Sequence, residues 1–151
     1  MPRISAGLLM YRTRERRIEV LLVHPGGPFW ANKDEGAWSI PKGEPDEGED
    51  LLAAAQREFK EETGFEASGP FIALAPVRQK AGKTVHAWAF CGECDPAACR
   101  SNTFKTRWPL GTGPWRSFPE VDRAAFFPLD EAARKINPGQ KPLLDELRSR
   151  L

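Results

Sequence analysis

The stretch that decides the fold reads Gly43-Glu44-Pro45-Asp46-Glu47-Gly48-Glu49-Asp50-Leu51-Leu52-Ala53-Ala54-Ala55-Gln56-Arg57-Glu58-Phe59-Lys60-Glu61-Glu62-Thr63-Gly64-Phe65. Its opening, preceded by Pro41-Lys42, is broken by two glycines and two prolines over residues 41–49 and reads as a loop. A helix follows over residues 50–63: Leu52, Ala55 and Phe59 share one face, and Thr63-Gly64 supplies the stop. At about 100° per residue, Glu58, Glu61 and Glu62 project within about 100° of one another. Glu58 and Glu62 form a like-charge i,i+4 pair, which disfavours the helix. They also stand in its last turns, where the macrodipole is negative. Two local rules broken in one place point to function. One reading is a hard divalent cation, Mg²⁺ or Mn²⁺, held by convergent oxygen ligands. The other is a solvated face with Glu61 paired to Arg57.

Outward from this helix, residues 4–12 are small and apolar and read as a buried strand. Residues 14–17 make a charged turn, and residues 18–24 form the second arm of a hairpin. Pro25-Gly26-Gly27-Pro28 opens a loop through Gly36, and residues 37–40 read as a short strand ended by Pro41. Residues 71–78 and 84–91 are two further strands. On the second, Thr84, His86, Trp88 and Phe90 share one face, and Val85, Ala87 and Ala89 share the other. Residues 95–119 read as an irregular excursion without a core of its own. A strand over residues 120–129 and helices over residues 129–136 and 142–151 complete the chain. Strands surrounding helices in mixed order predict an α/β layered architecture with a mixed sheet.

The chain has 151 residues, a length suited to one domain, so residues 1–151 are read as a single unit. Its 22 Lys+Arg against 21 Asp+Glu argue against a general nucleic-acid coat, while leaving room for a locally basic pocket facing phosphates. No window approaches the roughly 20 apolar residues of a membrane helix. Cys91 and Cys94 have CxxC spacing, which fits a metal or redox pair or, more plainly, reduced thiols at a strand end. The odd cysteine count, with Cys99, and the lack of a visible leader predict a reducing cytoplasm.

Gly43, Glu49, Arg57-Glu58-Phe59, Glu61-Glu62 and Gly64-Phe65 fill every fixed position of Gly-x5-Glu-x7-Arg-Glu-U-x-Glu-Glu-x-Gly-U, where U is bulky and apolar. The stretch from residue 43 to residue 65 thus resembles the box of the Nudix (MutT-like) hydrolases. The resemblance implies an α/β/α sandwich with a mixed β-sheet, in which the box forms a loop–helix–loop. It also implies metal-dependent hydrolysis of a pyrophosphate bond in a nucleoside diphosphate linked to another moiety. By position, Glu58, Glu61 and Glu62 would bind metal, Gly43 would add a carbonyl, Arg57 would orient the glutamates and Glu49 would hold the loop to the helix. An acid beyond the box is expected at Glu120, with Asp122 second. Glu58 is the favoured general base, with Glu61 and Glu120 as alternatives.

Residues 82–88 and 120–132 look most like the diadenosine tetraphosphate (Ap4A-type) hydrolases, although Ala87 stands where those enzymes tend to carry tyrosine. A dinucleoside polyphosphate is therefore the first substrate expected, with no assembly state implied. A housecleaning nucleoside triphosphate pyrophosphatase and a non-catalytic nucleotide-sensing module are the alternatives. Lys42, Lys83, His86 and Trp38 are the candidate substrate contacts, and Phe104, Trp108 and Trp115 in the excursion would form either a lid or a satellite core.

Overall fold

The computed structural model describes residues 3–151; Met1 and Pro2, included in the one-unit reading, lie outside them. In chain order the elements are β1 (Ile4–Arg14), β2 (Arg17–Pro25), β3 (Lys42–Gly43), α1 (Leu51–Thr63), β4 (Ile72–Ala73), β5 (Val77–Arg78) and β6 (Thr84–Cys91). They continue with β7 (Thr103–Arg107), β8 (Trp115–Pro119), β9 (Val121–Pro128), α2 (Leu129–Lys135) and α3 (Lys141–Arg150). The main sheet runs β4-β6-β1-β2-β9, with β3 added to β1 and β5 to β6. The β1–β6 ladder is parallel and the other ladders are antiparallel, so the sheet is mixed as predicted.

Each face of the sheet carries its own core. Ala6, Leu8, Met10, Leu21 and Phe90 pack against Ala54, Ala55 and Phe59 of α1. Leu9, Val20, Leu22, Val85, Ala87 and Ala89 face the opposite way, against Leu129 and Ala132 of α2 and Leu143, Leu144 and Leu147 of α3. Helices on both faces make this the expected α/β/α sandwich. The alternation along β6 is as read: Phe90 and Trp88 lie on the α1 side, where they are core and packed margin.

The architecture opens a gap where the site lies. β1 pairs with β2 only from Tyr11↔Val20 to Arg14↔Arg17. Toward the other end of β1 the two strands separate, and residues 39–43 enter between them. Ser39 bridges Val23, the Leu8 N–H donates to the Pro41 carbonyl, and β3 pairs with Ala6 and Gly7.

Three segments differ from their sequence reading. Residues 37–40 make only isolated bridges, Ser39 to Val23 and Trp38 to Ile136, because the chain there crosses between strands; the ladder forms at residues 42–43 instead. Residues 71–78 form two short strands rather than one. Leu74, Ala75 and Pro76 oppose only His86 and Ala87, a one-residue bulge at the place where proline lacks an N–H. The excursion at residues 95–119 contains a regular ribbon, with β7 and β8 paired from Thr103↔Pro119 to Arg107↔Trp115. Among the described residues no helix is long and apolar enough to cross a membrane.

Candidate active site

Helix α1 is fixed at both ends. The Asp50 carboxylate accepts the Ala53 N–H at 3.1 Å, and Gly64 closes the helix in the left-handed region at φ 81°. Three carbonyls of its last turn then receive donors from the excursion: Asn102 N–H to Glu61 at 2.9 Å, Cys99 Sγ–H to Glu62 at 3.5 Å and Arg100 N–H to Thr63 at 2.9 Å. These bonds satisfy the helix end where carboxylates are least favoured. The same segment holds the start of β9. Asn102 accepts the Glu120 N–H at 2.9 Å, and the Ser101 hydroxyl accepts from the Val121 N–H at 3.1 Å. Residues 99–102 therefore clasp the helical carboxylates to Glu120.

Arg57 uses all five of its N–H donors on this framework. Nε and Nη2 grip Glu49 at 3.0 and 2.9 Å, Nη1 reaches Glu58 at 2.8 Å and Glu61 at 3.1 Å, and Nη2 also meets the Glu44 carbonyl at 3.2 Å. Glu49 further accepts the Asp46 N–H at 2.8 Å. The Arg57 guanidinium and this N–H hold the Glu49 carboxyl down at about 2. The loop is thus tied to the helix, and two glutamates are aimed by one guanidinium.

Glu58 lies directly against Gly43: a Cβ at that position would overlap its carboxylate carbon and both oxygens. Glu62 accepts the Lys42 backbone N–H at 3.2 Å. Burial pushes the Glu62 carboxyl up to about 8, and the neighbouring Glu58 and Glu120 charges add to that shift. Burial also raises Glu58 and Glu120, with repulsion from Glu61 contributing at both. The same burial, together with Lys83, lowers the Lys42 ammonium. Lys42, Glu62 and Glu120 line a cleft of about 140 Å³ with Ser39 and Val121. Among the described residues no three His, Cys, Asp or Glu side chains are already arranged as a closed ligand set. Arg57 holds Glu58 and Glu61, and the Lys42 N–H holds Glu62. The donor set still fits a hard divalent cation, because it consists of carboxylate oxygens whose charged forms are disfavoured by burial and mutual repulsion.

The structure places Lys42 in this cleft; Lys83 is not among its lining residues and its Nζ stands 3.9 Å from Glu44. His86 sits on β6 opposite Ala6 and lines neither this cleft nor the larger cavity described below. Trp38 is 4% exposed and belongs to the core, with its indole N–H donating to Asp34 at 2.8 Å. Its contribution to any ligand is one wall. Asp122 holds His24 Nδ1 at 2.7 Å, while His24 Nε2 meets the Lys33 carbonyl at 2.6 Å.

That buried histidine, which pins the loop after β2 to β9, gave no sequence signal beyond its place before Pro25-Gly26-Gly27. Beside it lies a cavity of about 470 Å³ that shares the lining residue Val121 with the cleft and is also lined by Asp34, Trp38, Arg123, Phe127 and Lys135. Lys135 pairs with Asp34 at 2.5 Å, and the Arg123 guanidinium lies 5.1 Å from the Trp38 ring centre. These partners stand 101 (Asp34 and Lys135) and 85 (Trp38 and Arg123) residues apart in sequence, so no local pattern marks them.

Residues 1–147 match the family model described as the NUDIX domain. An RNA pyrophosphohydrolase of Caulobacter vibrioides is 44% identical over 52 residues; that match spans 31% of this chain and 30% of the relative, so under a third of the relative's length is matched. Among solved structures, a Caenorhabditis elegans Ap4A hydrolase binary complex aligns with a TM-score of 0.67 at 23% identity, covering 97% of this chain and 96% of that one. The Nudix domain of Shewanella oneidensis NrtR, complexed with ADP ribose, aligns at 0.69 and 17% identity, covering 99% and 88%.

Proposed function

This chain belongs to the Nudix family, and on that premise we propose that it hydrolyses a phosphoanhydride bond in a nucleoside diphosphate joined to a second moiety. The observation that carries the reading is the set of acids gathered by the box: Glu58 against Gly43, Glu62 on the Lys42 N–H and in one cleft with Glu120, and Glu58 and Glu61 on Arg57, which spends every donor on the loop and the helix. Family members generally use divalent metals, and here Glu58, Glu61, Glu62, Glu120 and the Gly43 carbonyl would hold Mg²⁺, with Mn²⁺ as the substitute. Such an ion neutralises phosphate oxygens and acidifies bound water.

The chain's own residues do the rest. Arg57 orients Glu58 and Glu61, and Lys42 in the cleft and Lys83 beside Glu44 supply positive charge for phosphate. Water adds to phosphorus as the bridging P–O bond breaks, the leaving phosphate keeps that bond's electron pair, and Glu58 accepts the water's proton. The 470 Å³ cavity is roomy enough for a nucleoside, with Trp38 and Phe127 as apolar walls and Asp34, Arg123 and Lys135 as polar handles. A dinucleoside polyphosphate is the first compound to assay and a nucleoside triphosphate the second. We place the enzyme in the cytoplasm as one catalytic domain.

The test is a panel of dinucleoside polyphosphates, nucleoside triphosphates, nucleotide sugars and dinucleotides with Mg²⁺ or Mn²⁺, run with wild type and Glu62→Gln. ATP released from a dinucleoside tetraphosphate supports the first choice, and pyrophosphate from a triphosphate favours the second. Turnover of the best substrate within a few-fold of wild type in Glu62→Gln defeats the role given to this helix. No turnover of any compound by wild type leaves the sensing module as the better reading.

A further inference from the structure

Where β1 and β2 part, residues 39–41 run between them without a ladder of their own, and their bonds pass from partner to partner. Ser39 exchanges both main-chain bonds with Val23, at 2.8 and 3.0 Å. The Pro41 carbonyl accepts the Leu8 N–H at 3.1 Å, and the Lys42 N–H donates to Glu62 at 3.2 Å. Ile40, between them, is fully buried. Its N–H donates not to a strand but to a side chain, Gln140 Oε1 at 3.0 Å, 100 residues further along the chain.

Gln140 is itself fully buried, where an amide left unpaired is costly. The Ile40 N–H can only donate, which turns the amide oxygen toward it. Nε2 then spends both protons, on Ser39 Oγ at 3.0 Å and on Gln79 Oε1 at 2.9 Å. The Ser39 hydroxyl passes its own proton to the Ile40 carbonyl at 2.7 Å. Gln140 is in turn fixed by the short 3₁₀ turn Pro138–Gln140, where the Asn137 carbonyl accepts the Gln140 N–H at 2.8 Å. Asn137 N–H donates to the Trp38 carbonyl at 2.7 Å, and the Lys135 and Arg134 carbonyls accept from Trp38 and Gly36, each at 3.0 Å. The end of α2 and the turn after it thus do for residues 36–40 what a neighbouring strand does elsewhere in the sheet.

From this brace the cleft is two residues away. Ser39 and Lys42 line it with Glu62 and Glu120, whereas Gln140 does not. The Lys42 N–H holds Glu62, and Gly43 lies against Glu58 with no room for a Cβ. A displacement of about 1 Å at such a site costs on the order of 100-fold in rate. We propose that Gln140 is a positioning residue for the metal-binding carboxylates: its amide sets where residues 39–43 lie, and through them the places of Glu62 and Glu58. That these carboxylates serve hydrolysis rests on the reading above; that Gln140 sets their affinity for a cation does not depend on turnover.

The test compares the full chain with Gln140→Met, which keeps the length of the side chain and removes its amide, and with Gln140→Asn, which keeps the amide one methylene short. Leu147→Ala, a core truncation on α3 outside this network, controls for lost stability. Mn²⁺ affinity is read from the electron paramagnetic resonance of the free ion, and kcat and KM from the best substrate at saturating Mn²⁺. Gln140→Met is expected to weaken Mn²⁺ binding about 10- to 100-fold and to lower kcat by a similar factor, with KM nearly unchanged. Gln140→Asn falls between it and wild type, and decides by the same criteria if Gln140→Met shows no cooperative urea transition. Leu147→Ala loses stability in urea yet binds Mn²⁺ and turns over like wild type. Wild-type Mn²⁺ affinity in the Gln140 variants, or no Mn²⁺ binding by wild type, overturns the proposal. So does an equal loss in Leu147→Ala, which makes the effect one of stability rather than placement. Mn²⁺ binding that weakens in Gln140→Met, without turnover of any compound by wild type, upholds the positioning and strikes the hydrolase reading alone.

Discussion

Gly43→Ala tests whether Glu58 is seated where the structure places it. Gly43 does not need a left-handed φ, so alanine suits its backbone and by itself stabilises by about 0.4–1 kcal/mol through the unfolded chain. Against this, the new methyl overlaps the Glu58 carboxylate, an overpacking cost of about 1–3 kcal/mol. The net expectation is a loss of between roughly 0 and 2.6 kcal/mol. In a Glu58→Ala background the clash is gone, and the same substitution should stabilise by about 0.4–1 kcal/mol. The two backgrounds thus differ by the clash itself, about 1–3 kcal/mol, as a coupling between neighbours. Urea unfolding followed by tryptophan fluorescence, with a chelator present, reads all four corners of the cycle. Activity should fall about 10- to 100-fold in Gly43→Ala alone, because the displaced carboxylate loses its aim from Arg57. An equal change in both backgrounds would refute the contact and with it the reason for glycine at this position.

The remaining expectations concern charge. The Glu62 carboxyl titrates near 8 when folded against 4.5 ordinarily, so between those values the folded state holds a proton that the unfolded chain has released. Metal-free stability should therefore fall as pH rises through that window, and Glu62→Gln should flatten the decline in urea midpoints; an unaltered slope would remove Glu62 as its source. Adding Mg²⁺ at a hundredfold excess over Kd should stabilise wild type by about 2.7 kcal/mol, more strongly at high pH than low, since binding displaces protons. Melting curves of Glu62→Gln that respond to Mg²⁺ like wild type would contradict this. Arg57→Lys keeps the charge but loses the fork and should lower kcat about 10- to 100-fold, with circular dichroism unchanged. Retention of full kcat would show that the five bonds are structural only.

What was legible in the sequence was what local rules write. Asp50 and Gly64 bound α1 to within a residue, and alternation on β6 sorted its two faces correctly. The carboxylates stood out because they break the helix's own preferences. What escaped depends on partners far along the chain. The five residues of β7 and the five of β8 are too short and mixed to announce themselves, and Trp108-Pro109 and Gly111–Pro114 between them mask a ribbon as irregular chain. Trp38 is expected among the substrate contacts, and the partners that also bury it, Phe127 and His24, are not its neighbours in sequence. The bond between Asp122, the second candidate acid, and His24, 98 residues earlier, likewise has no local signature.

The clasp at residues 99–102 has an evolutionary consequence. The spacing between the helical carboxylates and Glu120 runs through the main chain of Asn102, which donates to Glu61 and accepts from Glu120. Main-chain bonds survive most side-chain drift, so this segment can change composition while the catalytic spacing is inherited unchanged. Length is another matter. An insertion between Ser101 and Thr103 would part the two acidic elements, whereas the ribbon beyond hangs outside the clasp and can lengthen or shorten without moving them. The fold thereby separates a part that must keep count from a part free to be remodelled for new partners.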